Sequence, residues 1–276
     1  MSEKKVKVGV VGAMGRMGQS IIQTILTQDD KANGARLEFF TASDVANHPG
    51  VGKECYPATR VTLNASSESV FEQSDVVIDF TPPGNTVVHA KYAEKHGASY
   101  IVGTTGLGDE DHQVLDQIGQ AVCVVQAGNF SLGVNLMTAF SKKMAAVLGP
   151  EWDIEILEMH HKHKVDAPSG TAMMIGEAAA AGRGVNLKET AVKSRDGITG
   201  ERQVGDIGFA TLRGGSVIGE HEIIFASDNE RLTLSHRAEN RGLFAAGAVR
   251  AARWAAEQSK GRFSMMDVLG LSDFGV

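Results

Sequence analysis

The sequence predicts an α/β protein in which a doubly wound, mostly parallel sheet is joined to an α+β domain with a mixed or antiparallel sheet. Short apolar runs alternate with helical patterns over about the first 130 residues, as in successive βαβ units. The first run ends in a glycine-rich turn, which is typical of a nucleotide-binding strand–helix junction. After residue 130 the strand candidates follow one another closely, which favours antiparallel or mixed pairing.

The first part of the chain is predicted to contain five strands. The helix after the first strand, MGQSIIQTILTQ, has apolar residues at helical spacing, and a later helix, NTVVHAKYAEKHG, ends at a glycine. Because helices connect the strands, we expect a parallel sheet with helices on both faces. The predicted strands are, in chain order, VKVGVVG, LEFFTASD, DVVIDFT, SYIVGTTG and AVCVVQAGNFS.

The second part is predicted to begin with the helix SLGVNLMTAFSKKMAAVLG, for which Ser131 is a suitable N-cap. Polar and apolar residues alternate in WDIEILEM, which indicates a half-solvated strand. The polar segment KSRDGITGERQVGD is expected to be a loop, and a last helix, RGLFAAGAVRAARWAAEQSKG, is expected to stop at Gly261. Three more strands are predicted in DIGFATLRGG, GEHEIIFAS and ERLTLSHRA. We therefore expect a nucleotide-type domain at 1–130, completed by 241–276, and an inserted domain at 131–240.

The composition argues against several classes of protein. Lysine and arginine total 27 and aspartate and glutamate 33, for a formal net charge of −6, so a general nucleic-acid binder is not expected. Cys55 and Cys123 match no disulfide or zinc spacing and are expected to be small buried apolar side chains. No apolar run approaches the roughly 18 residues of a membrane helix, and the N-terminal segment has no signal-peptide pattern. We expect a soluble, cytoplasmic protein.

The glycine-rich turn is the first candidate for a ligand site. Gly12, Gly15 and Gly18 give the spacing G-x-x-G-x-x-G, where the usual dinucleotide fingerprint is G-x-G-x-x-G. Between a strand and a helix, such a turn lets backbone amides approach a pyrophosphate at the helix N-terminus. A glycine turn without a ligand is the alternative interpretation. Arg16 either contacts phosphate or is solvated.

A carboxylate at the end of the second strand would bind the adenosine ribose hydroxyls. Asp44 is the candidate, although it lies further along the chain than the usual interval of about 20 residues. Asp29 or Asp30 would fit that interval better but falls in a predicted loop. Val45, and not an arginine, follows Asp44, so a 2′-phosphate has no evident partner. This favours NADH, with NADPH possible.

Two further segments, GTTG at 103–106 and AGNFS at 127–131, each follow an apolar run. In a parallel doubly wound sheet the loops after the strands face the ligand crevice. These segments could therefore approach the nicotinamide half of the cofactor, and ordinary tight turns are the alternative.

Three interpretations compete for HHKHK at 160–164 and the residues after it. A solvated basic loop is the simplest one. A metal site is the second, but consecutive histidines point in different directions and no zinc-ligand spacing supports it; its candidate ligands would be His160, His161 and His163 with Asp166, His221 or His236. The third is an anion-binding catalytic site, in which a helix start at Pro168–Thr171 binds carboxylate while Lys164 and a histidine supply charge and a proton. This chemistry suits the reduction of a small dicarboxylate.

The segments VGVVGAMGRMG, VVIDFTPP, IVGTTG, AGNFSLGVN, IEILEMHHKHKVDAPSGTA and IGFATLRGGSVIGEHEIIF resemble, in that order, the 4-hydroxy-tetrahydrodipicolinate reductase family of bacterial lysine and diaminopimelate synthesis. The resemblance covers nearly the whole chain. It implies a Rossmann-like dinucleotide-binding domain and a central domain that binds substrate and forms a homotetramer. It also implies NAD(P)H-dependent reduction of 4-hydroxy-tetrahydrodipicolinate to tetrahydrodipicolinate. No metal ion is expected, because no ligand spacing supports one.

The resemblance also implies roles for individual residues. His160 would be the catalytic proton donor and Lys164 the second catalytic cation, with His161 as a substrate contact. Ser169, Gly170 and Thr171 would hold a substrate carboxylate. The cofactor would be bound by Gly12, Ala13, Met14, Gly15, Arg16 and Met17 of the glycine turn, by Asp44 and Phe80, and by Gly103, Thr104, Thr105, Ala127, Gly128, Asn129 and Phe130 of the later loops.

The sequence departs from the family's pattern at two places. Asp44 is followed by Val45 where well-known members have an arginine, and Pro82 stands where some have an arginine. Both departures remove partners for a 2′-phosphate, so they again favour NADH. A dehydrogenase for a related small acid or semialdehyde, and a nucleotide-sensing regulator without turnover, are the alternative functions.

Overall fold

The computed structural model describes residues 5–27 and 35–272, which fall into two compact units. The first unit contains the described residues up to Ser131 together with Gly242–Leu269. The second contains Leu132–Arg241 and residues 270–272.

Up to residue 131 the elements are β1 Val6–Val11, α1 Arg16–Thr27, β2 Leu37–Ser43, β3 Leu63–Asn64, α2 Ser67–Gln73, β4 Val76–Asp79, a 3₁₀ turn Pro83–Asn85, α3 Thr86–His96, β5 Ser99–Val102, α4 Asp109–Ile118 and β6 Cys123–Gln126. From residue 132 they are α5 Leu132–Leu148, β7 Asp153–His160, α6 Gly170–Arg183, α7 Leu187–Thr190, β8 Ala191–Val192, β9 Ile207–Arg213, β10 Glu220–Ala226, β11 Arg231–Arg237, α8 Gly242–Ala255, β12 Gly261–Phe263 and α9 Met265–Val268.

The sheet of the first unit has the strand order β12-β6-β5-β4-β1-β2-β3, and every pairing is parallel. The strand order reverses beside β1, so the carboxyl ends of β1 and β4 lie where a doubly wound sheet binds ligands. All four residues of β4 are buried, as a central strand with helices on both faces requires. The Rossmann-like prediction is confirmed.

The sheet of the second unit is mixed and has the order β11-β10-β7-β9-β8. β7 is parallel to β9 and antiparallel to β10, so the prediction of a mixed or antiparallel sheet is also confirmed. Burial alternates strictly along β7 because its even-numbered residues face inward. Apolar residues of α5 and α6, among them Met137 and Ile175, pack with Ile154 and Ile156 on that inward face.

The end of the last long helix corrects one prediction. Gly261 does not stop α8, which ends at Ala255; instead it begins the short strand β12. β12 pairs with β6, with Gly261 opposite Cys123, and the rings of Trp254 and Phe263 are in edge contact at 4.9 Å. α8 therefore ends six residues before Gly261, and the chain then adds a strand to the sheet.

Other local predictions have clear outcomes. Residues 193–206 contain no helix or strand, as predicted, and the loop is held by Arg195 and Arg202, which both bind the Glu155 carboxylate. Cys55 and Cys123 are buried and unpaired, and burial raises the pKa of the Cys123 thiol to about 12. In the described part of the chain, no helix is both long and apolar enough to cross a membrane.

Candidate active site

The glycine turn joins β1 to α1 in a very close packing. Gly12 has a φ of +66°, a conformation that favours glycine. Gly18 is buried in the first turn of α1, where an added side-chain carbon would clash with the Gly12 carbonyl and lie 2.7 Å from the Ala13 Cα. The helix start is thus held directly against the turn, with the N-terminal amides of α1 at the place where a phosphate would bind.

Asp44 follows β2 directly and is tied to the glycine turn. Its Oδ2 accepts a hydrogen bond from the Met14 amide at 2.8 Å. A cavity of about 350 Å³ in the first unit brings Asp44 and Val45 together with Gly12 and Gly15. Among the described residues that line this cavity there is no lysine or arginine. The alternatives Asp29 and Asp30 lie outside the described residues.

A second cavity of the first unit, about 410 Å³ in volume, brings together Met17 of α1 and the loops that follow β4, β5 and β6. The rings of Phe80 and Phe130 are 5.4 Å apart at its wall. Ala13 is fully buried, Arg16 is exposed, and Ala127 does not line the cavity. The predicted cofactor residues that line it are Met17, Phe80, Gly103, Thr104, Thr105, Gly128, Asn129 and Phe130.

Under the loop after β4 lies a buried polar network that the sequence analysis did not identify. Asp79 accepts hydrogen bonds from Tyr100 Oη at 2.6 Å and from the Thr81 amide at 2.7 Å, and lies 2.8 Å from His89 Nδ1. Burial alone would raise the pKa of Asp79, but the bonds to His89 and Tyr100 outweigh it and hold the pKa below its ordinary value. The Thr81 carbonyl in turn accepts from Thr104 Oγ1 at 2.9 Å. The network fixes one wall of the second cavity.

In the second unit, His160 is the last residue of β7 and is buried. Its Nδ1 lies 2.6 Å from Glu158 Oε2, two residues earlier on the same inward face. Its Nε2 is turned towards Gly219, where an added side-chain carbon would lie 3.0 Å away. Burial lowers the pKa of His160 in spite of the Glu158 carboxylate, and the charges of Lys164 and Arg213 lower it further.

The Glu158 carboxylate is the centre of this cluster. Arg213 donates to both of its oxygens, at 2.9 and 3.0 Å, and the Ser169 amide donates to Oε1 at 3.0 Å. Burial would raise the pKa of Glu158, but these hydrogen bonds and that of His160 lower it. Glu158 is therefore an ionised carboxylate whose side chain is only 1% exposed.

The start of α6 lies beside this cluster. Ser169 is the N-cap residue, and its hydroxyl accepts from the Ala172 amide at 3.1 Å. Gly170 is exposed in the first helical position, and Thr171 follows it, half-buried. Helix starts of this kind present amides to anions, so the segment can hold a carboxylate.

The other predicted residues of this stretch differ in their surroundings. Lys164 forms an ion pair with Asp166 at 2.8 Å, and its charge is close enough to affect His160. His161 is half-buried, whereas Lys162 and His163 are exposed, as a solvated basic loop would be. Among the residues that the structure describes, no three His, Cys, Asp or Glu side chains are grouped to hold a metal ion.

Sequence reasoning missed Glu158, Arg213 and His221 as parts of one cluster. A usable signal existed for Glu158, because a carboxylate at an inward position of an alternating strand needs a buried partner. Arg213 is 55 residues away from Glu158 in the sequence. Only the parallel pairing of β7 with β9, which sets Arg213 opposite His160, brings it to the cluster.

The first unit has the turn, the strand-end carboxylate and the cavities of a dinucleotide-binding domain, and the second has a buried histidine beside a helix start whose amides are suited to an anion. Together they define an oxidoreductase that uses a pyridine nucleotide. Residues 6–130 match the family model described as dihydrodipicolinate reductase, N-terminus, and residues 133–269 match the one described as its C-terminus. The chain belongs to the dihydrodipicolinate reductase family.

Individual relatives agree with this assignment. The 4-hydroxy-tetrahydrodipicolinate reductase of Rhizobium rhizogenes is 47% identical, over 99% of this chain and 99% of its own. That of Roseobacter denitrificans is 43% identical, over 97% of this chain and 98% of its own. Among solved structures, a dipicolinate-bound dihydrodipicolinate reductase from Paenisporosarcina sp. TG-14 shares the fold, with a TM-score of 0.74 and 24% identity over 96% of this chain and 99% of that one.

Proposed function

We propose that the protein reduces 4-hydroxy-tetrahydrodipicolinate to tetrahydrodipicolinate with NADH or NADPH, a step of lysine and diaminopimelate synthesis. The observation that carries the proposal is the buried Glu158 carboxylate, which contacts both the His160 imidazole and the Ser169 amide. A proton donor and an anion-binding helix start are thereby held next to each other. That combination suits a small dicarboxylate, and the nearly full-length relatives carry the name of this reductase.

The bound nicotinamide would supply a hydride to the substrate ring, while the chain's residues supply the proton and the charge. His160 Nε2 would give up the proton that accompanies the hydride, and one water is lost from the substrate. Since burial keeps the pKa of His160 low in the free protein, a dicarboxylate beside it would favour the imidazolium form. Lys164 would offset the substrate's negative charge, and the amides of Gly170 and Thr171 would hold a carboxylate.

The residues of the first unit fit a dinucleotide. The lack of a side chain at Gly18 lets the start of α1 pack against the glycine turn. Asp44, which accepts a hydrogen bond from the Met14 amide of that turn, would bind the adenosine ribose. We further propose that NADH is preferred, because Asp44 would repel a 2′-phosphate and Val45 gives it no partner. Val45 lines the same cavity as Asp44 and is 63% exposed, so a longer, positively charged side chain would have room at this position.

We also propose that the protein works in the cytoplasm as a homotetramer in which residues 131–240 bind substrate and form the subunit contacts, while 1–130 with 241–276 bind the cofactor. Light scattering of the purified protein should then give four times the 29.3-kDa mass of one chain. The mass of a monomer or dimer would contradict the assembly and leave the proposed reaction intact.

The reaction is tested by following oxidation of NADH and NADPH while a synthase makes the substrate from pyruvate and aspartate semialdehyde. Oxidation should depend on the synthase. His160→Gln should lower kcat by roughly 100-fold or more, because general acid catalysis is lost, and the dissociation constant for NADH should stay within about twofold of wild type. Oxidation that proceeds without the synthase, or full turnover by His160→Gln, would refute the assignment.

A further inference from the structure

We infer that Glu158 is a positioning residue for the proposed reaction. Its carboxylate fixes both the tautomer of His160 and the start of α6. This inference rests on the function proposed above. Its basis is the geometry of one carboxylate that contacts the proton donor through one oxygen and the anion-binding segment through the other.

The described hydrogen-bond partners of the Glu158 carboxylate are two groups that can only donate, Arg213 and the Ser169 amide, and the ring of His160. Oε2 accepts from Arg213 and lies 2.6 Å from His160 Nδ1, while Oε1 accepts from Arg213 and from the Ser169 amide. An ionised carboxylate only accepts hydrogen bonds, so Nδ1 of His160 must carry a hydrogen. The proton available for chemistry is therefore the one on Nε2, the nitrogen turned away from Glu158 towards Gly219.

Arg213 keeps the carboxylate in its ionised form and holds its plane. The two nitrogen–oxygen contacts at 2.9 and 3.0 Å form a fork that resists rotation of the carboxylate. The guanidinium also donates to the Asp166 carbonyl at 2.6 Å. Asp166 is the ion-pair partner of Lys164, so the same arginine also anchors the loop that carries the second catalytic cation.

The same strand provides a matched control. Glu155 lies on β7 and, like Glu158, forms hydrogen bonds to arginines, here Arg195 and Arg202. It occupies an odd-numbered position, on the face of the strand opposite to His160. Replacing either glutamate by glutamine removes a charge that arginine neutralises, but only Glu158 contacts the imidazole.

Glutamine at position 158 creates a conflict that the carboxylate avoids. The NH₂ group of glutamine takes the place of one carboxylate oxygen. In one orientation it faces Ser169 N–H and Arg213, and in the other it faces His160 and Arg213. All of these groups donate, so a donor meets donors in both orientations. The conflict is smaller at the imidazole, because His160 can move its hydrogen from Nδ1 to Nε2 and accept instead. Glu158→Gln is therefore expected to reverse the tautomer of His160.

The experiment compares wild type, Glu158→Gln and Glu155→Gln in three measurements. Glu158→Gln should lower kcat by on the order of 100-fold, as expected when a histidine loses the partner that orients it, and leave the dissociation constant for NADH within about twofold. Nitrogen-15 NMR of histidine-labelled protein at about pH 8 should show the His160 hydrogen on Nδ1 in wild type and on Nε2 in Glu158→Gln. Glu155→Gln should match wild type in all three. A merely structural loss would not reverse the tautomer.

Two results would overturn the inference. One is a folded Glu158→Gln protein with the kcat of Glu155→Gln; the other is a wild-type spectrum with the His160 hydrogen on Nε2. The wild-type spectrum needs no variant, so it tests the inference even if Glu158→Gln does not fold. A wild-type protein that turns over no substrate would refute the proposed reaction, whereas the tautomer would still test the role of Glu158.

Discussion

Ser169 Oγ and His221 Nε2 lie 3.0 Å apart in the interior of the second unit, where Ser169 is 1% and His221 4% exposed. The same hydroxyl accepts the Ala172 amide and so caps α6. The His221 ring also meets the His160 ring in edge contact at 5.1 Å. The helix start proposed to hold a carboxylate and the proposed proton donor therefore share one buried histidine as a neighbour.

We predict that His221 makes the protein less stable in acid. Burial lowers the pKa of His221 from 6.5 to about 4. As the pH falls below about 6.5 the unfolded chain binds a proton there and the folded chain does not, so the free energy of unfolding decreases between about pH 6.5 and 4. The full loss is on the order of 3 kcal/mol.

Urea unfolding of wild type and His221→Gln at several values of pH would measure this effect. The loss of stability between pH 7 and 4.5 should be smaller in His221→Gln than in wild type. His163→Gln changes an exposed histidine and should retain the wild-type dependence. Identical pH dependence in all three proteins would contradict the prediction.

A second prediction concerns the network beneath the cofactor cavities. Tyr100→Phe should lower the free energy of unfolding by about 2 kcal/mol, because the buried Asp79 carboxylate loses one of its donors. Tyr92→Phe is the control. The rings of Tyr92 and Tyr100 both pack against Phe71, but Tyr92 is not among the described hydrogen-bond partners of Asp79. Equal stability losses in the two variants, measured by urea unfolding, would show that the bond to Asp79 contributes nothing.

A third prediction concerns the choice between NADH and NADPH. Val45→Arg should raise the ratio of kcat/KM with NADPH to kcat/KM with NADH by roughly 10-fold, because a guanidinium next to Asp44 would pair with the 2′-phosphate. Val88→Arg places the same charge at another exposed valine of the first unit, outside both cavities, and should leave the ratio unchanged. A wild-type enzyme that already prefers NADPH would refute the argument from Asp44 and Val45.

The parts of the fold that could be predicted are those with a local cause. The strand β7 was evident because its residues alternate between inward and outward positions. The junction of β1 with α1 was evident because its three glycines lie within seven residues of one another in the sequence. The strand β12 could not be predicted. Its three residues have no periodicity, and only their pairing with β6 makes them a strand.

The same distinction applies to the candidate site. The sequence placed His160, Lys164 and Ser169 in one short segment, because their separation in the chain is small. It could not bring in Arg213, whose contact with Glu158 depends on the register of two strands, or His221, which reaches Ser169 from β10. Register is set by side-chain packing of the whole sheet and has no signature in a single segment.

The last prediction concerns Gly18, whose lack of a side chain allows the helix start to approach the glycine turn. In Gly18→Ala the added carbon would clash with the Gly12 carbonyl and lie 2.7 Å from the Ala13 Cα, and both are backbone atoms that cannot rotate away. The turn must therefore shift, so we expect NADH to bind at least 10-fold more weakly and the Tm to fall by several degrees. Isothermal titration and thermal unfolding would measure the two effects. Gly84→Ala, at a position where an added carbon meets nothing within 4 Å, should change neither. If Gly18→Ala bound NADH like wild type, the close approach of α1 to the turn would not be what positions the helix amides for a phosphate.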